Sequence, residues 1–152
     1  MPRAPFQVLV FPYRKNLQDQ LEFALLLRAD EGFWQGIAGG GEDDETPLEA
    51  ARRETFEETG IKPTSTFMQL DTVESVPVIE LKDSALWGED VYVIPQYCFG
   101  VSTSRFDINI SHEHSAYGWF DFKIAHSILK FDGNKTALWE LNQRLKGKGP
   151  RG

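Results

Sequence analysis

Three carboxylates in the middle of this chain are spaced so that a helix would put them side by side. With Glu54 at the origin of a wheel turning about 100° per residue, Glu57 falls at about 300° and Glu58 at about 40°. Like charges on one stripe repel each other, and a divalent ion would turn that repulsion into ligation. Hard cations such as Mg²⁺ or Mn²⁺ take oxygen ligands, and Mg²⁺ keeps several coordinated waters that phosphate oxygens can displace. The acids are concentrated: between Glu42 and Glu58 eight of them stand against Arg52 and Arg53, so this segment holds −6 of the net charge of −7. Glu42 and Glu49 fit an ordinary solvated acidic face. A surface of this sign argues against duplex nucleic acid as the main partner, because phosphate backbones need basic surfaces.

The helix that would carry the acids is marked at both ends. Thr46 can cap it, Pro47 suits its first position, Glu49 stands where a capping box needs its acid, and Gly60 supplies a left-handed end. Pro47–Thr59 is therefore expected to be helical, with Leu48, Ala51 and Thr55 as the stripe that packs and holds it still. Gln7–Tyr13 and Leu21–Arg28 read as strands. Ala29–Asp44, rich in glycine, reads as loop. Thr66–Ile79 reads as one or two strands broken near Pro77, followed by a polar insertion carrying Trp87. Val91–Val101 reads as a strand near an edge or bulged, because Pro95 cannot donate to a ladder. Ser115–Phe120 is a further strand and Asn134–Lys146 a closing helix. Strands on both sides of a central helix, with a second helix last, imply an α/β sandwich around a mixed sheet.

Read from Gly39, the chain runs Gly39, five residues, Glu45, seven residues, then Arg53-Glu54-Thr55-Phe56-Glu57-Glu58-Thr59-Gly60-Ile61. This resembles the Nudix box, matching its seven fixed positions. The departure is Thr55, where the family usually has an aliphatic residue, and it touches packing rather than chemistry. The resemblance implies an α/β/α sandwich and hydrolysis of a diphosphate linkage. It also implies that Glu54, Glu57 and Glu58 ligate Mg²⁺ or Mn²⁺, with Gly39 adding its carbonyl, and that Arg53 orients a glutamate by ion pairing. Metal and carboxylate would together activate the attacking water. The glycine triplet Gly39-Gly40-Gly41 does not make a nucleotide loop of another kind, since neither Gly-Lys-Ser/Thr nor a third spaced glycine follows.

Outside the box, Phe33-Trp34-Gln35 and Glu113-His114-Ser115-Ala116-Tyr117-Gly118-Trp119 are similar to segments of the dihydroneopterin triphosphate (dATP) pyrophosphohydrolase branch. That likeness implies a role for Glu113 at the metal site or as the base, and leaves Glu58 and Glu113 as alternatives for the base. Arg28 is placed to hold a phosphate or to serve as an ordinary strand-end cation. Trp34 is placed to stack on a base or pterin or to anchor its loop. Phe33, Trp119 and Trp139 are expected in the core, Trp87 and Tyr92 beside the insertion, and His112 and His114 have no assigned role. The expected substrate is a nucleoside triphosphate or dihydroneopterin triphosphate, cleaved to monophosphate and pyrophosphate. The alternatives are dinucleoside polyphosphates, nucleotide sugars or oxidised nucleotides, or a nucleotide sensor that does not cleave.

The 152 residues, 41% hydrophobic and 26% charged, suit one domain over residues 1–146 with a disordered tail at 147–152. No apolar run approaches a membrane span, and no signal layout opens the chain. A lone cysteine, Cys98, fits a reducing, cytoplasmic setting. A monomer or homodimer is expected, with no membrane partner.

Overall fold

Along the first strand, Val8 and Val10 turn to one side and Leu9 and Phe11 to the other, and all four are buried. A strand covered on both faces needs a layer on each, and the chain supplies them. A computed structural model describes residues 3–81, 84–104, 108–110 and 114–147. In chain order the elements are β1 (Arg3–Lys15), β2 (Leu21–Arg28), β3 (Trp34–Gln35), β4 (Ile37–Glu42), α1 (Pro47–Thr59), β5 (Phe67–Pro77), β6 (Val93–Ser102), β7 (His114–Phe120), α2 (Phe122–Ile128) and α3 (Asp132–Leu145), with short 3₁₀ turns at Val78–Glu80 and Ser84–Trp87. The seven strands form one mixed sheet in the order β3-β2-β1-β6-β5, with β4 also on β1 and β7 also on β2. β1 and β6 run parallel, and the other pairs are antiparallel.

One cluster, with Val8, Val10, Leu26, Ile37, Phe99 and Val101, is closed by Ala50 and Ala51 of α1. The other, with Leu9, Phe11, Phe23, Leu25 and Cys98, is closed by Ala125 of α2 and Ala137, Leu138 and Leu141 of α3. The result is the expected α/β/α sandwich. Among the described residues, no helix is long and apolar enough to cross a membrane.

Three expectations are corrected, and one element is added. The glycine-rich stretch 29–44 is not all loop, because it contains β3 and β4. Gly39, Gly40 and Gly41 are strand residues of β4 that let other groups come close. The strand at 91–101 is not at an edge, since β6 lies between β1 and β5. Pro95 precedes the first pair with β1, Gln7 with Gln96, and the register shift falls in β5 between Gln69 and Val73. A seven-residue helix, α2, follows β7 and is capped by Asp121, whose carboxylate accepts from the Ile124 N–H at 2.9 Å. Finally, Trp139 is 52% exposed on α3 rather than in the core, and Trp119 is half-buried under the Arg14 guanidinium, 4.1 Å from its ring. The proposed tail beyond Gly147 lies outside the described residues.

Candidate functional site

The site is built where β4 turns into α1. Glu45 N–H donates to the Glu42 carbonyl at 2.9 Å and Glu45 Oε1 accepts from the Glu42 N–H at 2.8 Å. Asp44 takes the left-handed conformation, φ 73°, that Asp tolerates. Thr46 then caps the helix, with its hydroxyl accepting from the Glu49 N–H (3.1 Å) and the Glu49 carboxylate accepting from the Thr46 N–H (2.8 Å). Gly60, φ 80°, closes the other end with its N–H on the Phe56 carbonyl. The buried face of α1 is Ala50, Ala51, Thr55, Glu58 and Thr59. Leu48, expected there, is instead exposed. Small side chains seat the helix close to the sheet, and the buried face is centred so that Glu58 falls inside it.

Arg53 is the hub. Its guanidinium makes a two-pronged pair with Glu45 (2.7 and 3.0 Å), donates to the Gly40 carbonyl (2.9 Å), and reaches Glu54 (3.0 Å) and Glu57 (3.2 Å). The Glu45 hydrogen bonds hold Arg53 charged, above the ordinary guanidinium value, and Arg53 in turn lowers the Glu45 carboxyl. Glu54 responds differently. Burial pushes its carboxyl up to about 7, with Glu57 and Glu58 adding to the rise, and the pull of Arg53 only partly offsets this. A β-carbon on Gly39 would collide with that carboxyl group, so the missing side chain is the space Glu54 occupies. Gly40 presents its opposite face to the Arg3 guanidinium, and Gly41 faces the Phe6 ring.

Glu58 lies apart from this network. Its side chain is 7% exposed, and its Oε1 is 3.2 Å from Nδ1 of His114, which is 2% exposed. It stands in the last turn of α1, which contains no basic residue, at the negative end of the helix dipole. Glu57 is 53% exposed. Among the described residues, no three His, Cys, Asp or Glu side chains are gathered closely enough to hold an ion. The donor set nonetheless suits a hard cation: carboxylates and the Gly39 carbonyl are oxygen donors. Glu54 is a buried carboxyl whose ionised form lacks full compensation, and Glu58 is an acid at a helix end of its own sign.

Of the remaining expected site residues, Arg28 ends β2, pairs in register with His114, and closes a two-pronged ion pair with Asp30 (3.0 and 2.7 Å). Trp34 packs edge-on against Phe120, centroids 5.4 Å apart, in the cluster on the face away from α1. The structure therefore does not bring Trp34 to the glutamates. Phe33 packs against Phe131. Glu113 and His112 lie outside the described residues. Two members of the site carry little signal of their own in the sequence. Glu45, the principal partner of Arg53, was legible as the acid eight residues before it. His114 takes no role from the sequence, because a lone histidine carries no signal until its neighbour is known.

The family model for the NUDIX domain matches residues 5–139. The chain is 29% identical over 146 residues to the dihydroneopterin triphosphate diphosphatase of Escherichia coli K12, covering 90% of this chain and 91% of that protein. It is 31% identical over 127 residues to the asymmetrical bis(5'-nucleosyl)-tetraphosphatase of Mus musculus, covering 82% and 81%. Among solved structures, a Listeria monocytogenes protein described as a Nudix hydrolase superposes with TM-score 0.84 at 38% identity, over 95% of this chain and 96% of its own. The Escherichia coli dihydroneopterin triphosphate pyrophosphohydrolase superposes with TM-score 0.75 at 25% identity, over 93% and 99%.

Proposed function

The chain belongs to the Nudix family of phosphoanhydride hydrolases, and from that premise we propose that it is a divalent-metal-dependent pyrophosphohydrolase releasing pyrophosphate and a monophosphate from dihydroneopterin triphosphate or a (deoxy)nucleoside triphosphate. The observation that carries the reading is the Arg53 hub, which fixes Glu54 as a buried acid beside Gly39 while Glu45 holds the arginine in place. The relative acting on dihydroneopterin triphosphate supports this substrate class.

Glu54, Glu57 and Glu58, with the Gly39 carbonyl and Glu113, are the residues that would hold Mg²⁺ or Mn²⁺. When bound, the ion offsets charge on the bridging and leaving oxygens and lowers the pKa of the attacking water. Arg53 keeps its charge in every protonation state of its neighbours and so maintains the alignment of Glu54 and Glu45. Glu58 and Glu113 are the two acids able to take the water's proton. Arg28, at the strand end beside His114, would contribute charge toward phosphate by exchanging Asp30 for the substrate. Trp34 acts from below, as the anchor of the β2–β4 connection.

The mouse relative supports a second reading, cleavage of a bis(5'-nucleosyl) tetraphosphate. A substrate panel with Mg²⁺, scored by ³¹P NMR of the products, separates the two. Pyrophosphate plus monophosphate is the expected result. A higher kcat/KM on the dinucleoside polyphosphate replaces the substrate assignment with the second reading. No phosphoanhydride cleavage on any substrate of that panel refutes the mechanism. Within the site, Glu58→Gln is expected to lower kcat by about 10²–10⁴-fold, with circular dichroism unchanged.

A further inference from the structure

His114 is a costly residue where it stands. Its side chain is 2% exposed, and among the described residues neither ring nitrogen has an aligned hydrogen-bond partner. A buried polar group left in that condition is destabilising, and an apolar side chain of similar size would fill the same space without that cost. The place is also rigidly defined. His114 begins β7 and pairs with Arg28 one step past a register shift between β2 and β7, so its ring is delivered to the end of the sheet that α1 covers. There Nδ1 lies 3.2 Å from Glu58 Oε1, within reach of a hydrogen bond after a small rotation of either group.

Glu58 is the acid this ring faces. It is buried, and it sits in the last turn of a helix that has no basic residue there. The Arg53 guanidinium is engaged with Glu45, Glu54 and Glu57 on the helix's other flank. Ligating carboxylates are themselves hydrogen-bonded, and those outer partners fix which lone pairs face the ion.

We propose that His114 is the positioning residue of Glu58: its Nδ1–H donates to Oε1 and sets the direction in which the carboxylate presents its oxygens to the metal. The donor this requires is a ring proton on Nδ1. The inference rests on the metal-dependent reading above, and its test keeps the two apart.

An Asn side chain places an amide N–H where Nδ1 stands, whereas Gln places it where Nε2 stands. The experiment compares wild type, His114→Asn, His114→Gln and His114→Leu by Mn²⁺ titration without substrate, following free ion by EPR, with kcat, KM and thermal melting of each. Expected is Mn²⁺ affinity within about threefold of wild type for Asn, and a loss of about 10–100-fold for Gln and Leu, with kcat falling and KM little changed. Wild-type affinity in His114→Leu, or Asn no better than Gln, overturns the proposal while leaving the hydrolase reading intact. If His114→Leu does not fold, the Asn and Gln pair decides, since both carry the same amide. A wild-type protein that neither binds Mn²⁺ nor turns over any substrate overturns both.

Discussion

Arg53→Ala tests the hub directly. The substitution removes a two-pronged pair with Glu45 whose partners are 22% and 18% exposed, a bond to the Gly40 carbonyl, one to Glu54 and a half-exposed one to Glu57. The Glu57 contact contributes little, because exposed ion pairs are worth well under 1 kcal/mol. The Glu45 and Glu54 contacts dominate, and breaking a largely buried pair from one side costs about 3–5 kcal/mol. Part of that is recovered at neutral pH. Glu54 is already pushed to about 7, and losing the pull of Arg53 raises it further, so it takes up a proton instead of remaining a buried anion. The expected destabilisation is therefore at the low end, about 3 kcal/mol, or about 6–12 °C in Tm for a chain of this size. Urea unfolding by circular dichroism is the assay. Arg53→Lys is expected to recover less than half, because one ammonium cannot span both Glu45 oxygens and the Gly40 carbonyl together. In a double-mutant cycle, Arg53→Ala and Glu45→Ala should couple by about 1.5–3 kcal/mol. A loss below about 1 kcal/mol at unchanged m, or a lysine variant as stable as wild type, would refute the hub as a structural element.

Three more outcomes are expected. Gly39→Ala drives a β-carbon into the Glu54 carboxyl; stability should fall by only about 1–2 kcal/mol, because the far end of a flexible side chain can swing away, while Mn²⁺ affinity and kcat fall much further. A variant as active as wild type would contradict the close approach. Thr46→Ala removes one half of the capping box and should cost about 1 kcal/mol in urea unfolding, with kcat unaffected at temperatures where the protein is folded. Glu140 takes N–H bonds from Asp71 (2.7 Å) and Thr72 (2.8 Å) and a hydroxyl bond from Thr72 (2.6 Å). Burial opposes its ionisation, but these bonds and Arg144 leave its carboxyl below the ordinary 4.5. Because the folded value is the lower one, its stabilisation is complete above about pH 4.5 and is lost as pH falls through the lowered value; Glu140→Gln should flatten that acid limb in a pH series of urea melts, and an unchanged limb would refute the assignment.

What the sequence made legible was local. Thr46, Pro47, Glu49 and Gly60 each act within one turn of their own position, and the structure places α1 at Pro47–Thr59 as they require. Leu21–Arg28 likewise carries its own strand signal. The glycine-rich stretch misled because glycine reports both turn and close approach, and only the neighbours from other elements, Glu54, Arg3 and Phe6, distinguish the two. Leu48 misled for a related reason. The wheel finds the apolar residues, but a helix seated this close to a sheet buries Ala50 and Ala51 and leaves the larger side chain outside. In the candidate site, the family spacing pointed to the glutamates and the arginine. It could not say that Arg53 would turn to Glu45, Glu54 and Glu57 while Glu58 met His114, because those choices depend on where β4 and β7 arrive from distant parts of the chain.

The run Gly39-Gly40-Gly41 leaves the wall between the two sides of the protein a single bare peptide thick at this point. An acid leans on it from one side and a guanidinium from the other, while Arg53 donates to the Gly40 carbonyl. Glu54 and the Arg3 guanidinium thus stand on opposite faces of this strand with no side chain of the strand between them. Any thickening of that partition would change the field felt on both sides at once.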